Sequence, residues 1–177
     1  EAKAYPTPYC DGSLGAGHSW SGTAHGSSST RAVAALAYAQ PLPTTGPFSI
    51  AAWIIPAASA AEIAASTDRG IWRAGTNTTE TRCDLWLSTT WGGVEPGWYS
   101  GPANTWLHGG DLSFGPYEAQ HLVCTWDGTY RRLYLNGSLV ATSANESGTP
   151  PSIANTFWVG RYGNSNLWNG WLDDLLL

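Results

Sequence analysis

The sequence predicts an all-β sandwich, and three observations carry that prediction. Two turn dipeptides, Asp127-Gly128 and Asn136-Gly137, flank one strand-length segment within the stretch 119–142. Such dipeptides favour tight hairpins because a type I′ turn needs positive φ at both central residues. Apolar residues alternate around them: Leu122, Cys124 and Trp126 before the first turn, Leu133 and Leu135 between, Leu139 and Ala141 after. Period-two alternation places this set on a buried face, with Arg132 and Tyr134 on the opposite one. The third observation is general. Short apolar runs separated by Gly, Pro, Asn and Asp recur along all 177 residues, and helical periodicity is nearly absent.

The elements follow in order. Residues 1–30 are rich in Gly, Ser and Thr, with Tyr5, Tyr9 and Trp20 as aromatic anchors and Pro6 and Pro8 favouring extended backbone. They read as an N-terminal arm, and 31–177 as one domain. Arg31–Ala39 reads as a strand stopped by Pro41 and Pro43. Phe48–Ile55 is the clearest early strand, with Phe48, Ile50 and Ala52 on one face and Trp53 and Ile55 on the other; Pro56 ends it. Ala57–Ser66 is the best helix candidate, about two turns long. Gly70–Ala74 and Arg82–Ser88 form an antiparallel pair around a polar loop. Gly97–Ser100 and Thr105–Asp111 are two further strands, and the 119–142 meander comes next. Phe157–Arg161 and Gly170–Leu176 close the chain around a polar loop, Tyr162–Asn169. The pattern amounts to about ten to twelve strands in an antiparallel arrangement. No internal repeat is evident.

Composition narrows the function classes. Formal net charge is −5, with one Lys and seven Arg scattered along the chain. No basic stretch offers the electrostatic footprint of a nucleic-acid or anionic-membrane partner. No signal peptide or transmembrane run is recognisable. The chain begins at Glu1 and stops on three leucines inside a strand pattern, so it reads as a processed form or a piece of something longer. Of the three cysteines, Cys124 reads as a buried thiol, while Cys10 and Cys83 are candidates for a bridge without matching a known framework.

Three phrases, in order, resemble the laminin-G-like, concanavalin A-like jelly-roll superfamily over about residues 46–177. FSIAAWIIP is similar to its early Phe-Thr-Ile-Ser-Ala-Trp-Val-Lys-Pro strand. HLVCTWDGTYRRLYLNGSLVA resembles its His-Val-Ala-Val-Thr-Tyr-Asp-Gly strand followed by Arg-Leu-Tyr-Val-Asn-Gly. FWVGRYGNSNLWNGWLDDLLL is similar to its closing pair. The N-terminal stretch YCDGSLGAGHSWSGTAHGSSSTR resembles a segment of tailed-phage tail and virion proteins, departing from it at Cys10 and Ala24. The resemblances imply an antiparallel two-sheet jelly-roll sandwich. They also imply a setting on an extracellular or virion surface, in adhesion, glycan recognition or decoration. The superfamily spans glycan binders, adhesive modules, some glycosidases and purely structural domains, so fold alone leaves function open.

Hydrolysis of a glycosidic bond needs two carboxylates about 5–9.5 Å apart. The nearest spacing, Glu80 and Asp84, gives about 13 Å on an extended strand. Asp173 and Asp174 are adjacent and point to opposite faces. The sequence therefore predicts no catalytic residues and no enzyme. His18 and His25 near Asp11 match no metal spacing, and His108 and His121 read as strand-end residues. Calcium is the better metal candidate: many domains of the resembling superfamily hold one, and hard oxygen ligands are at hand in Asp11, Asn164, Asn169 and Asp173.

Eleven tryptophans supply the candidate glycan contacts. Trp53, Trp72, Trp86, Trp126 and Trp158 lie in strand patterns and read as core. Trp91, Trp98, Tyr99, Trp106 and Trp168 lie in or beside Gly/Pro-rich loops. Exposed aromatic rings stack on the C–H faces of pyranoses, with Asn104, Asp111 and Asn166 available to hydrogen-bond hydroxyls. Trp and Tyr are equally enriched at protein interfaces. A second reading is therefore a structural subunit that cements a virion, shell or filament, its arm reaching a neighbouring subunit.

Overall fold

A computed structural model describes residues 22–24, 34–37, 46–64, 69–75, 82–89, 93–100, 105–146, 156–162, 166–168 and 170–176. They form two antiparallel six-stranded sheets, a two-stranded ribbon and one short helix. In chain order the strands are β1 (Gly22–Ala24), β2 (Ala34–Ala37), β3 (Phe48–Pro56), β4 (Arg69–Gly75), β5 (Arg82–Ser88), β6 (Glu95–Ser100) and β7 (Thr105–His108). After these come β8 (Gln120–Trp126), β9 (Arg131–Leu135), β10 (Ser138–Thr142), β11 (Thr156–Val159), β12 (Arg161–Tyr162), β13 (Asn166–Leu167) and β14 (Gly170–Leu176). The first sheet runs β1-β14-β3-β8-β9-β10 and the second β2-β11-β4-β5-β6-β7. This is the jelly-roll sandwich that the sequence predicts. β1 falls inside the stretch read as an arm, and it pairs with β14.

Alternation along each strand builds the core between the sheets. β3 alternates as expected, with Phe48, Ile50, Ala52 and Ile54 inward and Ser49 outward; Trp53, read as core, is instead exposed on the outer face, as its position in the alternation requires. The inward residues meet Leu122, Cys124, Trp126 and Leu133 on the same sheet, and Cys83, Leu85, Leu87, Trp98 and Leu107 from the other. Phe48 crosses the gap to Trp98 edge-on, ring centroids 6.2 Å apart. Cys83 is a fully buried thiol; Cys10, the other candidate for a bridge, lies outside the described residues. The Cys83 sulfur faces the hydrocarbon interior and accepts a hydrogen bond from the Trp98 indole N–H at 3.0 Å. Burial pushes the Cys83 thiol up to about 12, offset in part by that indole. Burial also holds Cys124 well above the usual thiol range.

The two hairpin dipeptides behave differently. Asn136 and Gly137 both take positive φ (49° and 82°), giving the expected two-residue turn between β9 and β10. Asp127 is not in that conformation. It starts a four-residue loop in which its carboxylate accepts hydrogen bonds from the N–H groups of Thr129 and Tyr130, both at 2.8 Å. Leu139, expected in the core, is exposed. It pairs with the outward Tyr134; a register shift after it brings Ala141 opposite Leu133, and Val140 and Ala141 pack on the core.

The helix expected over 57–66 is a single short element, α1 (Ala60–Ala64). A reciprocal cap defines its start: Ser59 Oγ accepts from Glu62 N–H at 3.3 Å, and Glu62 Oε2 accepts from Ser59 N–H at 2.7 Å. No helix among the described residues is long and apolar enough to cross a membrane.

Candidate functional site

The outer face of the second sheet gathers an aromatic cluster with charged neighbours. β5 turns Cys83, Leu85 and Leu87 inward, which by alternation sends Asp84, Trp86 and Ser88 to the other face. β6 and β7 pair in register with it. Asp84, Tyr99 and Trp106 form one row across three strands, continued on β4 by Arg73. Trp86, Gly97 and His108 form the next row. Gly97 is the only member without a side chain, and the Trp86 and Trp106 rings stack across β6 there. Their centroids lie 4.4 Å apart and their planes 9° apart. Tyr99 closes on Trp106 at 4.7 Å.

Two polar pairs frame the rings. Arg73 Nε lies 3.4 Å from Asp84 Oδ1, both side chains buried. His108 Nδ1 and Glu95 Oε2 sit 2.8 Å apart at the outer margin, His108 exposed and Glu95 largely covered. Trp106 is half-buried, whereas Trp86 and Tyr99 are buried. The surface therefore offers part of one indole with an imidazole and a carboxylate beside it. That combination suits a ligand with a C–H face and hydroxyl groups. Asp111 lies just beyond, its carboxylate occupying the space that a side chain at Gly93 would need.

Behind this face stands a group that alternation alone makes visible. Arg131, at the start of β9, is fully buried between the sheets. Its Nε donates to Glu146 Oε2 at 2.9 Å, and Nη2 donates to Glu146 Oε1 at 2.7 Å and to Thr105 Oγ1 at 2.6 Å. Nη1 donates to the Trp98 carbonyl at 2.8 Å. The guanidinium carbon also lies 5.4 Å from the Trp98 ring centre. This network ties the meander to β6 and to Thr105, the residue next to Trp106.

The residues expected from sequence separate into groups. Tyr99 and Trp106 come together as neighbours in register. Trp98 and Trp168 are buried in the core and are corrected: neither presents a ring to a sugar. Trp98 lies in a strand, one residue out of phase with Tyr99, so alternation sends the two to opposite faces. Trp91, Asn104, Asp11, Asn164 and Asn169 lie outside the described residues. Asn166 is placed in β13 and Asp173 in β14, where it pairs in register with Trp53. Among the described residues, no group of three or more His, Cys, Asp or Glu side chains is placed to hold a metal. Sequence reasoning assigned Trp86 to the core and weighed Asp84 only as half of a carboxylate pair. The alternation of RCDLWLS carried the signal for both.

A laminin G family model, described as the concanavalin A-like lectin/glucanases superfamily, matches residues 27–177. The chain belongs to this superfamily. No curated protein matches its sequence. Several solved structures share the superfamily fold with it. A heptameric SAP-like pentraxin from Limulus polyphemus aligns with TM-score 0.56 and 19% identity, covering 78% of this chain and 66% of the pentraxin. Domain 4 of AbnA, a GH43 extracellular arabinanase from Geobacillus stearothermophilus in complex with arabinotriose, aligns with TM-score 0.56 and 15% identity, covering 90% and 80%. A CBM40 of a Ruminococcus gnavus IT-sialidase, bound to α2,3-sialyllactose, aligns with TM-score 0.50 and 15% identity, covering 74% and 72%. The chain spans just under two thirds of the pentraxin and about a third of the botulinum neurotoxin receptor-binding domains it also resembles. The stretch resembling phage virion proteins lies outside the described residues apart from β1.

Proposed function

We propose that this superfamily member is a non-enzymatic glycan-recognition module of a cell or virion surface, binding through the outer face of its second sheet. The observation that carries the reading is the Trp86–Trp106 stack beside Tyr99, with His108 and Glu95 at its margin. Trp106 supplies the apolar contact, and Glu95 and His108 supply hydrogen bonds to hydroxyls. Asn104, just before β7 in sequence, and Trp91, ahead of β6, are proposed as further contact residues. The sugars held by the arabinanase domain and the CBM40 lend support to a saccharide ligand without naming it.

The test is a glycan array followed by calorimetry. The intact chain is expected to bind at least one saccharide class, and Trp106→Ala to weaken that binding about tenfold or more, roughly 1.4 kcal/mol. Equal affinity in Trp106→Ala moves the site elsewhere. Release of reducing ends from a bound glycan ends the non-enzymatic reading.

A further inference from the structure

We propose that the opposite face of the sandwich, the outer surface of the first sheet, is a self-association surface that takes a second copy of this chain. Two large apolar side chains stand exposed on it, Trp53 at 40% and Leu139 at 54%. They do not stand alone. Strand register aligns Ala51, Val123, Tyr134 and Leu139 in one straight row across β3, β8, β9 and β10. Trp53 and His121 form the adjacent row, their rings 4.7 Å apart. A contiguous apolar surface of this kind marks an interaction site, where a lone exposed leucine does not.

The row is self-complementary in size. A twofold axis through its middle, between Val123 and Tyr134, lays Leu139 of one copy over Ala51 of the other and Tyr134 over Val123. Large then meets small at every step, as an isologous contact requires. Six strands about 4.8 Å apart, the longest about 30 Å, make a face of several hundred Å² before side-chain relief. That is the order of the roughly 800 Å² each partner contributes to a standard interface.

Each chain carries −5, so long-range repulsion opposes the approach of two copies and the contact itself must be made by an apolar surface. Arg132 on this face is bonded to Asp127 and neutralised by it. Asp173 pairs in register with Trp53 and so borders the apolar row. Association through this face strengthens as salt screens the repulsion between the two acidic bodies.

Sedimentation equilibrium of the intact chain across concentration and salt tests the proposal. A dimer is expected, tighter at high salt. Leu139→Lys and Trp53→Lys each place an uncompensated charge in the apolar contact and are expected to weaken the dimer about tenfold or more. Ser113→Lys, an exposed loop position outside the face, is expected to leave it intact. Hydroxyl-radical footprinting of the unaltered chain needs no variant: Trp53, Tyr134 and Leu139 are expected to be protected at high concentration and modified at low. A monomer at every concentration overturns the proposal. So does a dimer indifferent to both lysines, or one whose footprint falls elsewhere, which assigns the face to a different partner.

Discussion

Arg131 illustrates what one residue does in this sandwich. A guanidinium buried at 0% exposure is tolerable only because the Glu146 carboxylate, the Thr105 hydroxyl and the Trp98 carbonyl take up its donors. Removing one partner of a buried pair leaves the other charged and unpaired. Arg131→Met is therefore expected to lower stability by about 3–5 kcal/mol, measured by urea unfolding. Asp127 shows the opposite, exposed case. The Tyr130 N–H, then Arg132, then the Thr129 N–H stabilise its anion and lower its pKa to about 2. A depressed native value means that the contribution is complete above the unfolded value near 3.9 and is lost as pH falls through about 2. An NMR titration should show the Thr129 and Tyr130 amides shifting in that window, and Asp127→Asn should abolish the shift. Arg131 was legible in principle, since it alternates with Leu133 and Leu135. The competing expectation, that arginines in a half-buried strand face water, concealed it.

At the scale of elements, local chemistry decided how much could be read. Asn136-Gly137 gave both the turn and its geometry, because few residues tolerate positive φ in succession. Gly137→Ala meets open space but a strained backbone, and is expected to cost about 1 kcal/mol. Asn136→Ala adds the loss of hydrogen bonds from His121 N–H and to Gln120, and is expected to cost about 2 kcal/mol. Thermal melts of the pair should preserve that order. Asp127-Gly128 looked equivalent, but the aspartate side chain found its own backbone partners and made a longer loop. Leu139 was misplaced because the two-residue turn pairs it with the outward Tyr134, and only the bulge after it returns Ala141 to the inner face. The aromatic site was half legible for a related reason. Tyr99 and Trp106 were singled out by residue type, but Trp86 joins them only once three strands are laid in register.

For the whole molecule, the sheets are closed by strands distant in sequence. β14 sits between β1 and β3, and β11 between β2 and β4. Family phrases could place those strands in the fold but not beside their neighbours, since pairing partners more than eighty residues apart leave no local trace. Removing residues 170–177 strips β3 of a neighbour along its length and takes Leu172 from the core. The shortened chain is expected to lose cooperative thermal unfolding and to aggregate through the bared edge, as followed by circular dichroism and light scattering.

That insertion also sets a timetable for synthesis. Eight strands, β3 to β10, are consecutive and already supply four neighbours to each sheet, so a nascent chain can assemble them while the remainder is still being made. β1 and β2 emerge from the ribosome first, yet each must wait for a partner translated more than a hundred residues later. Of these strands the earliest-made thus become the last to dock, and β11 and β14 complete the two layers. The interval between is the period when the growing chain most needs a chaperone, and slowing translation after β10 would lengthen it.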